Sequence, residues 1–243
     1  MPNENCRVLI VDDDPAFRRA LGTALAATGF EVREARTGQE AITALRDQPA
    51  DVVLLDINMP GMGGIDTCRT VRKLSPRIGI LMVTVRDSEE DKVQALEAGA
   101  DDFVTKPYRL REMVARLHAV MRRLHPPDEV ATRVFRAGNL ELDSERRVVT
   151  KAGAEIHLSP REYDVLSYLF QHQGALVTHA RLLQSVWGAE YGGELEYLRS
   201  YVRMLRKKIE DDPSQPEYIL TEPWVGYRFR NPADAEPPRS VEK

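Results

Sequence analysis

Val8-Leu9-Ile10-Val11-Asp12-Asp13-Asp14 and Val52-Val53-Leu54-Leu55-Asp56 decide the fold of this chain. Each is a run of β-branched and aliphatic residues that ends in carboxylates. Parallel strands covered on both faces read as near-continuous apolar runs, and ligand chemistry gathers at the carboxyl ends of such strands. If the two strands are neighbours, Asp12, Asp13 and Asp56 converge at one sheet edge. Carboxylates brought that close raise one another's pKa. A hard divalent cation relieves the repulsion, and oxygen ligands with open water positions suit magnesium. A metal beside a carboxylate also invites phosphate chemistry. The competing reading is a set of solvated strand-end acids.

Working outward, strands are predicted near 7–11, 30–34, 51–55, 79–83 and 102–105. Helical patterns lie between and after them, near 15–28, 38–47, 64–74, 88–98 and 109–123. Five such repeats predict an α/β fold, a (βα)5 doubly wound parallel sheet covered on both faces. The stretch 125–132 is polar, carries Pro126 and Pro127, and reads as a linker between domains at 6–124 and 133–230. The second domain reads as α+β. Short strands are expected over 133–157, helices near 160–172, 178–187 and 194–210, and a hairpin over 217–230. Ser159-Pro160-Arg161-Glu162 carries the signature of a capping box with proline at the first helical position. The segment 231–243 is rich in proline and charge and reads as a disordered tail.

A length of 243 residues fits two ordinary domains, and a hydrophobic content of 42% is enough for two cores. The net charge is −4, so any DNA affinity must come from local placement of charge. Cys6 and Cys68 form no metal or disulfide pattern, which fits a reducing compartment. No apolar stretch reaches transmembrane length, and the first residues lack a signal peptide's regions. A soluble cytoplasmic protein without membrane insertion is the expectation.

Thr84 ends a further apolar run, Gly79-Ile80-Leu81-Met82-Val83, and Lys106 follows Phe103-Val104-Thr105. Parallel winding brings both to the edge that holds Asp56. There Thr84 can hydrogen-bond a phosphoryl oxygen and Lys106 can pair with another. Stabilising charge on a transferring phosphoryl group is mainly an electrostatic task, and these parts supply it. Residues 6–124 thereby resemble the receiver domain of bacterial two-component response regulators. The resemblance rests on Asp12, Asp13, Asp56, Thr84, Lys106, the run Met59-Pro60-Gly61 and the pair Lys106-Pro107. It implies that Asp56 accepts phosphate from a sensor histidine kinase. It implies magnesium on Asp13 and Asp56, with Asp12 acting partly through water and the Asn58 carbonyl as a further ligand. It also implies a cis bond before Pro107. Val85 and Phe103 depart from the residues usual in the family, a small side chain and often a tyrosine. Asn58 and Arg86 flank the site and are expected to tune phosphoryl lifetime.

In the second half, residues 196–209 form an amphipathic helical pattern. Leu198, Val202, Leu205 and Ile209 make an apolar stripe, and Arg199, Arg203, Arg206 and Lys207 lie mostly opposite. Such a helix can enter a major groove, where Arg pairs with guanine and Lys with phosphate. Tyr197, Ser200 and Tyr201 are further candidate contacts. A solvated charged helix is the alternative. Leu158–Leu166, Leu182–Gly188, the basic helix and Gly226-Tyr227-Arg228-Phe229 together resemble the winged-helix effector domain of the OmpR/PhoB class. Tyr197–Val202 and Asp212–Ile219 look closest to the potassium-responsive members of that class. The resemblance makes 194–210 the recognition helix and 217–230 the wing. It makes 188–193 the loop that can meet RNA polymerase. Trp224 stands at the wing tip, where relatives often carry arginine and glycine. Trp224 and Arg228 are candidate DNA contacts, and Trp187 reads as core.

The resemblance further implies a homodimer on activation, through the pairs Lys92 with Glu112, Asp102 with Arg116 and Asp101 with Arg123, around a patch that includes Val93, Leu96 and Ala115. Two winged helices would then occupy repeats spaced about 10–11 base pairs apart on double-stranded promoter DNA. The chain reads as a phosphorylation-controlled transcription factor, not primarily as an enzyme, although it would catalyse its own phosphoryl transfer. Potassium-transport genes are the expected targets. The alternatives are a regulon of phosphate, osmotic or envelope genes, or a relay module that binds protein instead of DNA.

Overall fold

The computed structural model describes residues 6–85, 89–124, 134–188, 191 and 195–234. The chain divides into two compact units, 1–128 and 129–243. The predicted linker at 125–132 lies outside the described residues.

In the first unit, five strands form one parallel sheet: β1 (Arg7–Val11), β2 (Glu31–Ala35), β3 (Val52–Asp56), β4 (Gly79–Thr84) and β5 (Asp102–Thr105). Their order is β2-β1-β3-β4-β5. Five helices alternate with them: α1 (Pro15–Ala26), α2 (Gly38–Asp47), α3 (Gly64–Leu74), α4 (Glu89–Glu97) and α5 (Leu110–Leu124). Each lies within a few residues of its prediction. The pleat sends alternate residues to opposite faces. Leu9, Val53, Leu55, Ile80 and Met82 join the core under α2, α3 and α4, while Val8, Ile10, Leu54, Leu81 and Val83 join the core under α1 and α5. The central strands are apolar between their ends because both faces are buried. Cys6 and Cys68 are buried free thiols, pushed up to about 12 chiefly by burial, so both are protonated core residues at neutral pH.

Arg72 ties α3 to the amino-terminal edge of the sheet. Its guanidinium donates to the carbonyls of Gly99, Pro76 and Ile78 and to Asp101 Oδ2, the last at 2.8 Å. Asp101, 1% exposed, also accepts from Ile80 N at 2.8 Å. Removing the cation leaves a buried carboxylate short of its partner. Arg72→Met is therefore expected to lower stability by about 3 kcal/mol, and a denaturant midpoint equal to wild type would show that Arg72 is dispensable.

The second unit begins with a four-stranded antiparallel sheet: β6 (Val134–Ala137), β7 (Leu140–Asp143), β8 (Val148–Lys151) and β9 (Ala154–Ile156). Then follow α6 (Pro160–Gln171), β10 (Leu176–Thr178), α7 (His179–Trp187), α8 (Leu195–Ile209), β11 (Ile219–Glu222) and β12 (Gly226–Phe229). The capping box at Ser159 and Glu162 is present with both of its hydrogen bonds. Strand β10 is absent from the sequence prediction. It pairs antiparallel with β12, making a three-stranded sheet of order β10-β12-β11. Gly226 allows that pairing, since a Cβ there would lie 1.9 Å from the Val177 carbonyl oxygen. The predicted tail is corrected at its start. Pro232–Asp234 form a 3-10 turn, and Asn231 Oδ1 accepts from Gly138 N at 2.7 Å. Residues 235–243 lie outside the described residues.

Candidate phosphoacceptor site and nucleic-acid interface

The order of the first sheet brings the chemistry together. Val11 pairs with Leu55, Asp56 with Val83, and Thr84 with Thr105, so the carboxyl ends of β1, β3, β4 and β5 share one edge. Lys106 Nζ lies 2.8 Å from Asp12 Oδ2 and 2.9 Å from Asp56 Oδ1. Asp12 and Asp56 are 2% and 5% exposed. Their second oxygens are also occupied: Asp12 Oδ1 accepts from Asp14 N, and Asp56 Oδ2 accepts from Asn58 N at 2.7 Å. Burial pushes Asp56 above its ordinary carboxylate value, and the Lys106 bond acts against that rise. Burial likewise opposes the charge on Lys106, but the bonds to Asp12 and Asp56 outweigh it, and the ammonium titrates above its ordinary value. The peptide bond before Pro107 is cis.

The local sequence explains these placements. Asp14 caps α1, accepting from Ala16 N at 2.8 Å and Phe17 N at 3.2 Å, so the helix starts directly after the acidic strand end. Gly64 lets α3 start against β3, because a Cβ there would lie 2.1 Å from the Asp56 carbonyl oxygen. Thr84 is fully buried, Asp13 and Asn58 are exposed, and Val85 is 63% exposed at the rim. Phe103 is half-buried against the core. Arg86 lies outside the described residues.

Among the described residues no group of three or more His, Cys, Asp and Glu side chains is drawn together as a metal cage. Magnesium does not need one. It takes one or two carboxylates and keeps several waters beside a phosphate. Asp13, Asp56 and Asn58 bring hard oxygen donors to one sheet edge, Asp13 and Asn58 exposed there and Asp56 buried, and this donor chemistry fits the ion.

Each of the three charge pairs expected across a dimer has a member bound within its own chain. Asp102, 4% exposed, is bound within its own chain by Arg116 at 3.2 Å, and Arg116 also holds Glu112 at 3.1 Å. Asp101 is buried on Arg72. Leu96, expected in the surface patch, is 1% exposed and belongs to the core, while Ala115 is exposed. The side chains of Lys92 and Arg123 lie outside the described residues.

The candidate DNA contacts divide more sharply. Tyr197, Ser200 and Tyr201 are 6%, 4% and 0% exposed and sit on the buried face of α8, so they are corrected to core positions. Arg206 turns to its own fold: its guanidinium donates to the Ile219 carbonyl at 2.6 Å and to Thr221 Oγ1 at 2.8 Å. Arg228 is paired with Glu222 at 2.9 Å and donates to the Gly174 carbonyl. Arg199, Arg203 and Lys207 remain exposed, with Arg199 paired to Glu196 one turn away. Arg199, Arg203, Arg206 and Lys207 line one side of a cavity of about 370 Å³, with Thr221 and Tyr227 of the hairpin on the other. Trp224 is 96% exposed at the hairpin tip with φ +67°. Trp187 is core, packed on Tyr201 and Arg161. Of the loop 188–193, residues 189, 190, 192 and 193 lie outside the described residues.

Sequence reasoning missed two residues that position this face. Lys208 donates to buried Glu162 Oε2 at 2.6 Å, fastening α8 to the start of α6. Glu210, 6% exposed, accepts from the backbone amides of Glu217, Tyr218 and Ile219. The one available signal is Glu210 ending a basic run just before Asp212-Pro213.

No helix among the described residues is long and apolar enough to cross a membrane. Residues 8–118 match the model of the response regulator receiver domain, and residues 153–229 match that of the C-terminal domain of transcriptional regulatory proteins. The transcriptional regulatory protein KdpE of Mycobacterium tuberculosis is 43% identical over 224 residues, covering 91% of this chain and 98% of that protein. The sensory transduction protein RegX3 of Mycolicibacterium smegmatis is 42% identical over 224 residues, with the same coverage of 91% and 98%. A solved structure of a RitR cysteine-to-aspartate mutant matches with TM-score 0.73 at 27% identity, covering 92% of this chain and 98% of that one. With its acidic strand-end site in a parallel sheet and its basic helix beside a hairpin, the chain belongs to the OmpR/PhoB-type response regulators, transcription regulators with a receiver domain and a winged-helix DNA-binding domain.

Proposed function

We propose that Asp56 is the phosphoacceptor and that its phosphorylation gates DNA binding by α8 and the β11–β12 hairpin. One observation carries the reading: Lys106 bridges the buried carboxylates of Asp12 and Asp56 from a strand end that only the fold brings near. An Asp56 oxygen forms a bond to phosphorus as the P–N bond to a kinase histidine breaks. The imidazole leaves with the electron pair, and Asp56 becomes an acyl phosphate. Lys106 and Thr84 are the proposed partners of the phosphoryl oxygens. Magnesium bound through Asp13, Asp56 and the Asn58 carbonyl, with Asp12 assisting through water, would neutralise charge on the transferring group.

Arg199, Arg203 and Lys207 are the proposed DNA contacts on the helix, and Trp224 is the proposed contact at the wing tip. Arg206 and Arg228 support the hairpin instead. The activated form is a homodimer that engages RNA polymerase at the promoter. Because Arg116, Asp102 and Glu112 already pair within one chain, the dimer would have to share or exchange these partners. Arg116→Glu is expected to abolish phosphorylation-dependent dimerisation in sedimentation experiments, and its persistence would discard this surface.

The regulon we infer is potassium-transport genes. It is supported by the stretch Tyr197–Val202 and by the similarity to KdpE, although RegX3 is nearly as similar. Fluorescence anisotropy on potassium-transport promoter DNA tests it, with magnesium and a phosphoryl mimic and with Asp56→Ala as control. Binding that tightens with the mimic in wild type alone supports the whole reading. Equal binding in every sample would refute gating by Asp56.

A further inference from the structure

The Lys106 ammonium has a third neighbour. Its Nζ lies 3.9 Å from the centroid of the Phe17 ring. Phe17 sits in the first turn of α1, which Asp14 fixes immediately after the acidic strand end. The ring packs edge-to-face with Tyr108, centroids 6.3 Å apart and planes at 86°, and both residues rest on the core under α1 and α5. The Tyr108 hydroxyl is buried without a hydrogen-bond partner among the described residues. Around Lys106 there are thus two carboxylates on one side and an aromatic wall on the other. An ammonium has three donors. Two are used on Asp12 and Asp56, and the remaining side faces a π surface that attracts positive charge without fixing it to one acceptor.

We propose that Phe17 is a positioning residue for phosphoryl transfer to Asp56, its ring face holding the Lys106 ammonium aimed at the Asp12–Asp56 pair. The proposal rests on the reading of Asp56 as phosphoacceptor. A hydrogen-bonding wall would compete with the incoming phosphoryl oxygen for Lys106. A ring face lets the ammonium shift from Asp56 Oδ1 to that oxygen while keeping the cation–π attraction.

The test uses the full chain with magnesium and acetyl phosphate as the phosphodonor. There Asp56 attacks phosphorus and acetate leaves with the electron pair. Wild type, Phe17→Leu, Phe17→Met and Phe17→Tyr are compared for initial rate of phosphorylation. NMR is used to read the ε-methylene protons of Lys106, assigned with Lys106→Ala. A ring beneath the lysine moves these protons upfield in wild type and in Phe17→Tyr, and the shift vanishes in the Leu and Met variants. Loss of the cation–π contact slows phosphorylation in those two variants by about fivefold to thirtyfold, and Phe17→Tyr recovers most of the rate. Phosphorylation at the wild-type rate in folded Phe17→Leu or Phe17→Met overturns the proposal, as does absence of the upfield shift in wild type. Labelling that persists in Asp56→Ala overturns the reading of Asp56, and the proposal with it, while leaving the upfield shift in place.

Discussion

Lys106→Met is expected to slow phosphorylation of Asp56 by at least about a hundredfold, the range seen when one preorganised charge donor is removed from a transition state. The same substitution is expected to destabilise the first unit by about 3 kcal/mol at neutral pH, because it strips the cation from two buried carboxylates. The stability effect depends on pH, and its sign follows from Asp56. Burial raises this carboxyl above its ordinary value, so between the two values the folded chain binds the extra proton. Stability contributed by the protonated form is then lost as pH rises through the folded value and returns as pH falls through it. The deficit of Lys106→Met should therefore shrink on acidification through that range, as a proton takes over from the missing ammonium. By the same logic Asp56→Asn should stabilise the fold at neutral pH, with a gain that fades on acidification. Denaturation followed by circular dichroism measures both. Tryptophan emission would not, since Trp187 and Trp224 both belong to the second unit. A deficit that grew with acidification would contradict the assigned cause.

Glu210→Ala is expected to destabilise the second unit by about 4 kcal/mol. The carboxylate takes three backbone donors, from Glu217 at 2.8 Å, Tyr218 at 3.1 Å and Ile219 at 2.9 Å. Each buried donor left without an acceptor costs about 1–3 kcal/mol, and water at the exposed side recovers part of the total. Glu210→Gln keeps one acceptor oxygen and should lose about half as much. Buried Trp187 reports the transition through its fluorescence. DNA affinity should fall with stability, because the three bonds fix the chain as it leaves α8 and enters β11. An unchanged unfolding midpoint would remove Glu210 from this role.

The first sheet is legible because its signal is redundant. Each strand is an apolar run, each run ends in a chemically distinctive residue, and parallel winding sends every such end to one edge. Asp12, Asp56 and Lys106 meet as that logic requires. The second unit is less legible. Leu176-Val177-Thr178 is too short to show a period, so β10 emerges only through its partner β12. Tyr197 and Ser200 carry hydroxyls, which draws them toward the DNA face on composition. In the helix they lie beside Tyr201 and Leu198, on a buried arc wider than the stripe of aliphatic residues. Arg206 and Arg228 show the complementary limit. A guanidinium reads as a phosphate ligand in sequence, yet backbone carbonyls of the hairpin and of Gly174 claim these two. The pairing of Asp102 with Arg116 within one chain is of the same kind, since spacing cannot say whether two charges meet within a molecule or between molecules.

The bridge from Lys106 to Asp56 spans 50 positions of sequence, and the one to Asp12 spans 94. During synthesis the ribosome delivers both acids well before the lysine, by several seconds at about 5–20 residues per second. Throughout that interval an emerging chain carries the two carboxylates without the ammonium that bridges them. On the proposed reading, a chain that has not yet reached Lys106 would take phosphate at least about a hundredfold more slowly than one that carries it.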